Sequence, residues 1–344
     1  MNRQKIHSFC LALMTLAIFV RLAGQVQFLL AWQKEQKPAL WRVDVERAAP
    51  VPLVHTTAAP VSAAVQDKPP EQTVLEADAK TDLPAAPERE PAAFSPEEAD
   101  AIAVSGACTY TFDKTALLTR PSALDFSADG PKVLIVHTHA SEAYTQEAGY
   151  EYAPSGELRT QDQTRSVIRI GSEIARLLED AGIETIHDTT PNDYPSYDGA
   201  YARMEAIIEA YLTQYPSIQI VLDVHRDAVE DQSGFPAALT ANIEGEGCAK
   251  LMFVVGTDEG GLEHPGWQEN LANALKLQAL LNRTAPGLCR DIDLRTERFN
   301  QHERPGSMLL EFGASGNTLS QALRTARLFS DALATFINGV PKKS

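Results

Sequence analysis

Basic charge is what this chain has too little of. Its 30 Lys and Arg stand against 46 Asp and Glu in 344 residues, a formal net charge of -16. Affinity for nucleic acid rests on clustered cations that displace counterions, so a phosphate-backbone partner is excluded. Cysteine is scarce as well: Cys10, Cys108, Cys248 and Cys289 form neither a CxxC pair nor the spacing of a disulfide framework. Cys10 lies too early for a lipoprotein cysteine and reads as a small apolar filler. Aromatic side chains are nearly missing from residue 33 to about 95, so that stretch cannot build a core. Nor is there one long apolar run. FCLALMTLAIFV (Phe9 to Val20) is separated from FLLAW (Phe28 to Trp32) by Arg21, Gln25 and Gln27.

What is present falls into four parts. Arg3 and Lys5 precede the apolar runs, which marks residues 1–32 as an export or anchoring segment. Arg21 weakens a single span, since a central Arg costs roughly 2.5 to 3.5 kcal/mol on insertion. No small-x-small cleavage site follows, which favours an uncleaved single-pass anchor in the cell membrane over a cleaved signal; either way the remainder is exported. Residues 33–95 are rich in Pro, Ala and Glu and read as an extended tether. Residues 96–130 form a small lead-in segment. In it Ser95 is a candidate cap for a short acidic helix, and CTYTFDKTALL alternates as a strand or small subdomain would. Residues 131–340 carry the main domain.

From Lys132 the rhythm is regular. Strand patterns VLIVHTH, ETIHDTT, IQIVLDVHRDA, AKLMFVVGT and SMLLEFGAS alternate with helical patterns at Arg165 to Ile183, SYDGAYARMEAIIEAYLTQYP, WQENLANALKLQALL and LSQALRTARLFSDALATFI. Alternation with near-continuous apolar strands predicts an α/β fold, a mostly parallel twisted sheet with helices on both faces. Ligands in such sheets sit beyond the carboxyl ends of the strands.

Three of these strands end in useful chemistry: His137, His139 and Glu142; His225, Arg226 and Asp227; and Glu311. Taken singly, an HxxE or a strand-end histidine is weak, but the joint pattern is far more specific. Two imidazoles and a carboxylate from different strands would hold Zn²⁺ with a position left open for water. Glu311 follows MLL and precedes FG, where a buried carboxylate is costly without a partner. His187, in a polar turn, and His264 and His302, in loops, read as structural. Ser141 is no nucleophile, because nothing like GxSxG surrounds it.

HTHASEAY, HDTTPNDYPSYDGAY, VLDVHRDA, KLMFVVGT, Trp267 with ENLANA, and RFNQHERPGSMLLEFGASGNTLSQA occur in an order and spacing similar to the stage II sporulation protein P family, from about Cys108 onward. The resemblance implies a membrane-anchored cell-wall hydrolase of sporulation with a zinc amidase-like fold. It implies Zn²⁺ as cofactor and peptidoglycan as substrate, cut between N-acetylmuramic acid and L-alanine, with endopeptidase action on cross-links also credited to the family. The implied partners are a sporulation lytic transglycosylase and a polytopic membrane protein of the engulfment complex, at the septal or engulfing membrane. The long tether and the polar break at Arg21 depart from the pattern.

The match and the chemistry together assign His139, Glu142 and His225 as metal ligands. His137 is the rival for the first position, and the HxxE spacing favours His139. Glu311 becomes the general base. Arg226 stabilises an oxyanion or holds a stem-peptide carboxylate, or else pairs with Asp223 or Asp227. Asn300 and Gln301 are candidate substrate contacts, and Asn317 a cap for the last helix. Two other functions stay open: a different zinc peptidase or deacylase of the wall, and a non-catalytic anchored module. The intact set of four residues argues against the second.

Overall fold

The computed structural model describes residues 89–341. The expected anchor, residues 1–32, and the tether up to residue 88 lie outside the described residues. Among the described residues no helix is long and apolar enough to cross a membrane.

In chain order the principal elements are α1 (Pro96–Asp100), β1 (Val104–Gly106), α2 (Lys114–Thr119), β2 (Val133–Val136), α3 (Val167–Asp180), β3 (Thr185–His187), α4 (Ala200–Gln214), β4 (Ile220–Asp227), β5 (Leu251–Gly256), α5 (Trp267–Thr284), β6 (Ile292–Arg295), β7 (Gly306–Ala314) and α6 (Leu319–Asn338). Seven strands form one sheet in the order β1-β6-β5-β7-β4-β2-β3. Every neighbouring pair is parallel except β5 with β7, which is antiparallel. The sheet is therefore two parallel blocks of opposite sense. The carboxyl ends of β2, β3, β4 and β7 share one rim, and those of β1, β5 and β6 lie at the other.

Alternation along β4 sorts the core. Ile220, Leu222 and Val224 face the large apolar cluster beneath α3, α5 and α6, and Val221 faces the smaller cluster beneath α4. One face thus carries most of the helices. The other is covered by α4 and, over Met252, Val254 and Leu309, by the loop that holds Phe299. Each fully buried Ile, Leu or Phe contributes about 1.5–3 kcal/mol.

Helix starts follow the local sequence. Ser95 and Thr318 make capping boxes with Glu98 and Gln321, and Ser166 accepts from Ile168 N at the start of α3. The lead-in segment belongs to the same body: β1 pairs with β6, and Ala99, Ile102, Leu117 and Leu118 enter the large core. CTYTFDKTALL does not form the expected strand. Asp113 caps a helix at Lys114–Thr119, because its side chain accepts from Ala116 N and stops the extended run.

Candidate active site

β2 ends at Val136, and the next three residues separate two histidines by environment. His137 is fully buried on the α3 side, with Nδ1 donating to Val224 O at 2.9 Å and Nε2 2.9 Å from His187 Nε2. Gly171 of α3 makes room for this pair, since a Cβ there would lie 2.6 Å from both Nε2 atoms. Burial first, then His187, pulls the His137 pKa down to about 3, and burial pulls His187 to about 4, so both rings are neutral. His139 points elsewhere. Its ring stacks on Tyr197 at 4.3 Å and meets His225 edge-on at 5.4 Å.

The chain after His139 turns tightly, with Glu142 N donating to His139 O at 3.1 Å. The turn is pinned from both sides. Ala143 N donates to Leu158 O, Thr160 N to Ser141 O, and Val167 N, in the first turn of α3, to Glu142 O. Asp193 accepts from Ser141 N and Oγ and from Arg159 Nη1.

His225 lies near the end of β4, opposite Glu311 of β7 in parallel register, so the two side chains share a face. His225 Nδ1 is 3.4 Å from Glu142 Oε2, which also accepts from Arg226 N at 3.1 Å. Two strand positions earlier, Asp223 lies 2.8 Å from His225 Nε2 and accepts from Thr138 N and Oγ1. That contact to His225 is close but badly aligned, and Nε2 is left without a hydrogen bond.

The electrostatics divide the carboxylates. Burial works to raise Glu142, but the hydrogen bond and charge of His225, with Arg226, outweigh it and hold Glu142 down to about 2. Burial pushes Glu311 up to about 8, against the nearby His225 charge and with Glu142 and Asp227 adding to the rise. Glu311 is part-exposed as a residue, yet its Oε2 is shut off from solvent. Burial, then His225, lowers His139 to about 4. For His225 burial acts downward, but Asp223 and Glu142 prevail and hold it well above its ordinary value.

Arg226 alternates to the opposite face from His225. It is buried, with Nε donating to Ala143 O at 2.9 Å and Nη2 to Leu158 O at 3.1 Å; none of its bonds reaches Asp223 or Asp227. Asp227 pairs instead with Arg290 at 2.6 Å. Asn300 and Gln301 are buried and occupied with backbone: Asn300 donates to Tyr201 O, and Gln301 bridges Gly256 N and Val254 O. Asn317 does not cap α6, a place taken by Thr318; its Oδ1 instead accepts from both Ala314 N and Leu239 N, outside the helix.

The donor set fits a metal in one respect. Among the described residues His139 Nδ1, His225 Nε2 and Glu311 Oε2 are buried polar atoms without hydrogen-bond partners, and such atoms are costly unless something binds them. The side chains of His139, Glu142 and His225 are not drawn into a compact cage. Among the described residues the one group whose donor atoms all lie within 4.8 Å of one another is Glu205, His302 and Glu303. There the Arg298 guanidinium already sits 2.7 Å from Glu205, supplying the positive charge a cation would bring.

Sequence reasoning named Asp223 only as a partner for Arg226, where the structure sets it against His225, and missed Asp193, Arg159 and Tyr197. Asp223 had a visible signal, a carboxylate inside an apolar strand two residues before a histidine. Of the other three, Asp193 and Tyr197 come from a loop and Arg159 from a two-residue strand, and no local pattern encodes their mutual approach.

A family model described as stage II sporulation protein P matches residues 36–334. Among solved structures, the N-acetylmuramoyl-L-alanine amidase AmiC2 of Nostoc punctiforme is similar at 14% identity and TM-score 0.34, covering 61% of this chain and 97% of that one. The amidase Ami1 from Mycobacterium smegmatis is similar at 11% identity and TM-score 0.36, covering 60% and 97%. The CwlD amidase from Clostridioides difficile, in complex with the GerS lipoprotein, is similar at 13% identity and TM-score 0.34, covering 60% and 95%. No curated protein matches.

Proposed function

Since the chain belongs to the stage II sporulation protein P family, we propose that it is a zinc-dependent N-acetylmuramoyl-L-alanine amidase acting on peptidoglycan during sporulation. Endopeptidase action on cross-links, membrane anchoring through residues 1–32, and work beside a lytic transglycosylase and a polytopic membrane protein of the engulfment complex are part of the same proposal. The observation that carries it is the meeting of His139, Glu142 and His225 beside Glu311 on one rim, with three buried polar atoms lacking partners.

His139, Glu142 and His225 would hold the ion. When bound, zinc lowers the pKa of a water toward neutrality and polarises the scissile carbonyl. Glu311 takes a proton from the attacking water at its carboxylate and returns it to the leaving amine of L-alanine. Asp223, held by Thr138 N and Oγ1, places a negative charge beside His225 and favours binding of a cation there. Arg226 ties the Ala143 and Leu158 carbonyls together and so fixes the turn that presents Glu142.

Metal analysis of the full chain tests the reading. About one zinc per chain is expected, falling in His139→Ala and in His225→Ala. A zinc-loaded preparation that retains none, or metal that survives both substitutions, overturns it.

A further inference from the structure

Between the middle of α5, the C-terminal end of α6 and the segments 89–94 and 119–126 lies a cavity of about 570 Å³. It is remote from the catalytic rim, because α6 begins beside that rim and runs away from it. Its walls are apolar: Phe94, Leu124, Phe126, Phe336 and Ile337 line it, and Phe126 meets Phe336 edge to face at 6.3 Å. The volume falls within the roughly 300–1,000 Å³ of small-molecule sites.

The polar lining is mostly basic. Lys276, Arg120 and Arg89 face it, against one acid, Glu90. Lys276 is 3% exposed and its ammonium has a single hydrogen bond, to Leu117 O at 2.9 Å. An ammonium carries three donors, and burying one without a counter-charge is costly. Burial, then Arg120 beside it, lowers the Lys276 pKa to about 8, Glu269 opposing only in part. Arg120 pairs with Glu269 through Nη2 at 2.9 Å, but its Nε is buried with no partner. Among the described residues, a buried ammonium with one hydrogen bond and an Arg120 whose charge meets Glu269 but whose Nε has no partner therefore border one aromatic cavity.

We propose that this cavity binds a small amphiphilic anion, its carboxylate or phosphate head at Lys276 and Arg120 and its apolar body against Phe94, Phe126 and Phe336. The anion supplies a counter-charge in direct contact with the Lys276 ammonium, which bonds only the neutral Leu117 O among the described residues, and its tail removes water from the aromatic walls. Neither part of the molecule alone satisfies both surfaces. The binding does not depend on the hydrolase reading.

Calorimetric titration of the full chain with decanoate, decyl phosphate and the neutral decanol, each below its aggregation limit, tests the proposal. Decanoate or decyl phosphate is expected to saturate at one per chain, and the tighter of the two identifies the head group. Lys276→Met should weaken the anions by roughly tenfold or more, the scale of a lost charged hydrogen bond, and leave decanol unchanged. Any binding to apolar stretches elsewhere is common to both proteins and cancels in the difference. Should Lys276→Met fail to fold, Ile337→Trp fills the cavity from its rim with Lys276 intact and should abolish saturable anion binding. Equal affinity of decanoate for the native chain and Lys276→Met, equal affinity of decanol and decanoate, or undiminished binding to a folded Ile337→Trp overturns it.

Discussion

At the scale of single residues, two histidines two positions apart do opposite things. His137 donates to Val224 O and joins His187 under Gly171; removing it leaves a buried carbonyl unpaired and a void. His137→Ala is expected to cost on the order of 2–4 kcal/mol in denaturant unfolding while leaving metal content intact. Metal loss in that variant, with His139→Ala still loaded, would move the site to the α3 side of the sheet. Glu311→Gln should behave in the opposite way. Burial already disfavours the Glu311 charge, so the neutral amide should leave the melting temperature at or above native. Zinc should remain bound, and stem-peptide release from sacculi should fall by roughly 10² to 10⁴. A stable, loaded variant with native turnover would falsify the base assignment. The sequence made the strand-end residues legible because strand periodicity and burial are local. The stacking of Tyr197 on His139 and the grip of Arg159 on Asp193 are contacts across about 35 to 60 residues of sequence, and nothing local announces them.

At the scale of elements, the parallel blocks were readable from strands and helices in alternation, and the reversal between them was not. Between Asp227 of β4 and Leu251 of β5 the chain forms a hairpin, Thr240–Ile243 with Glu246–Ala249, instead of a crossover helix. A strand that returns to the same sheet in the same sense needs such a crossover. The missing helical pattern between VLDVHRDA and AKLMFVVGT was thus the available signal. β1 is three residues long and gives no periodicity to find. The end of β7 depends on one glycine and one asparagine. Gly313 takes φ +78°, and Asn317 sits against it, accepting from Ala314 N and Leu239 N and donating to Leu239 O. Asn317 is wholly buried, so Asn317→Ala leaves several backbone groups without partners and should destabilise by about 2–4 kcal/mol. A melting temperature within a degree or so of native would refute that role.

At the scale of the whole molecule, charge matters more than any contact. If, as proposed, the chain works at an anionic wall, its net charge of -16 makes that wall repel it. Release of peptides from sacculi is therefore expected to rise with moderate salt, as screening shortens the repulsion, and to rise further when the lytic transglycosylase is added. Rates flat across a salt series, with and without that partner, count against this. The chain enters the described region at Arg89–Glu90, which pair with Val340–Pro341 just past α6. The rim that carries His139, His225 and Glu311 lies at the other end of β4, eight residues and so roughly 26 Å away. Consider a pull on the chain at residue 89, as from anything holding the segment before it. The load falls first on a two-residue strand pair and on the Arg283 bonds to Ala93 O and Glu98, which peel one at a time like the end of a zip. Tension would loosen this seam while the strands that carry His139, His225 and Glu311, lying outside the line of force, keep their shape.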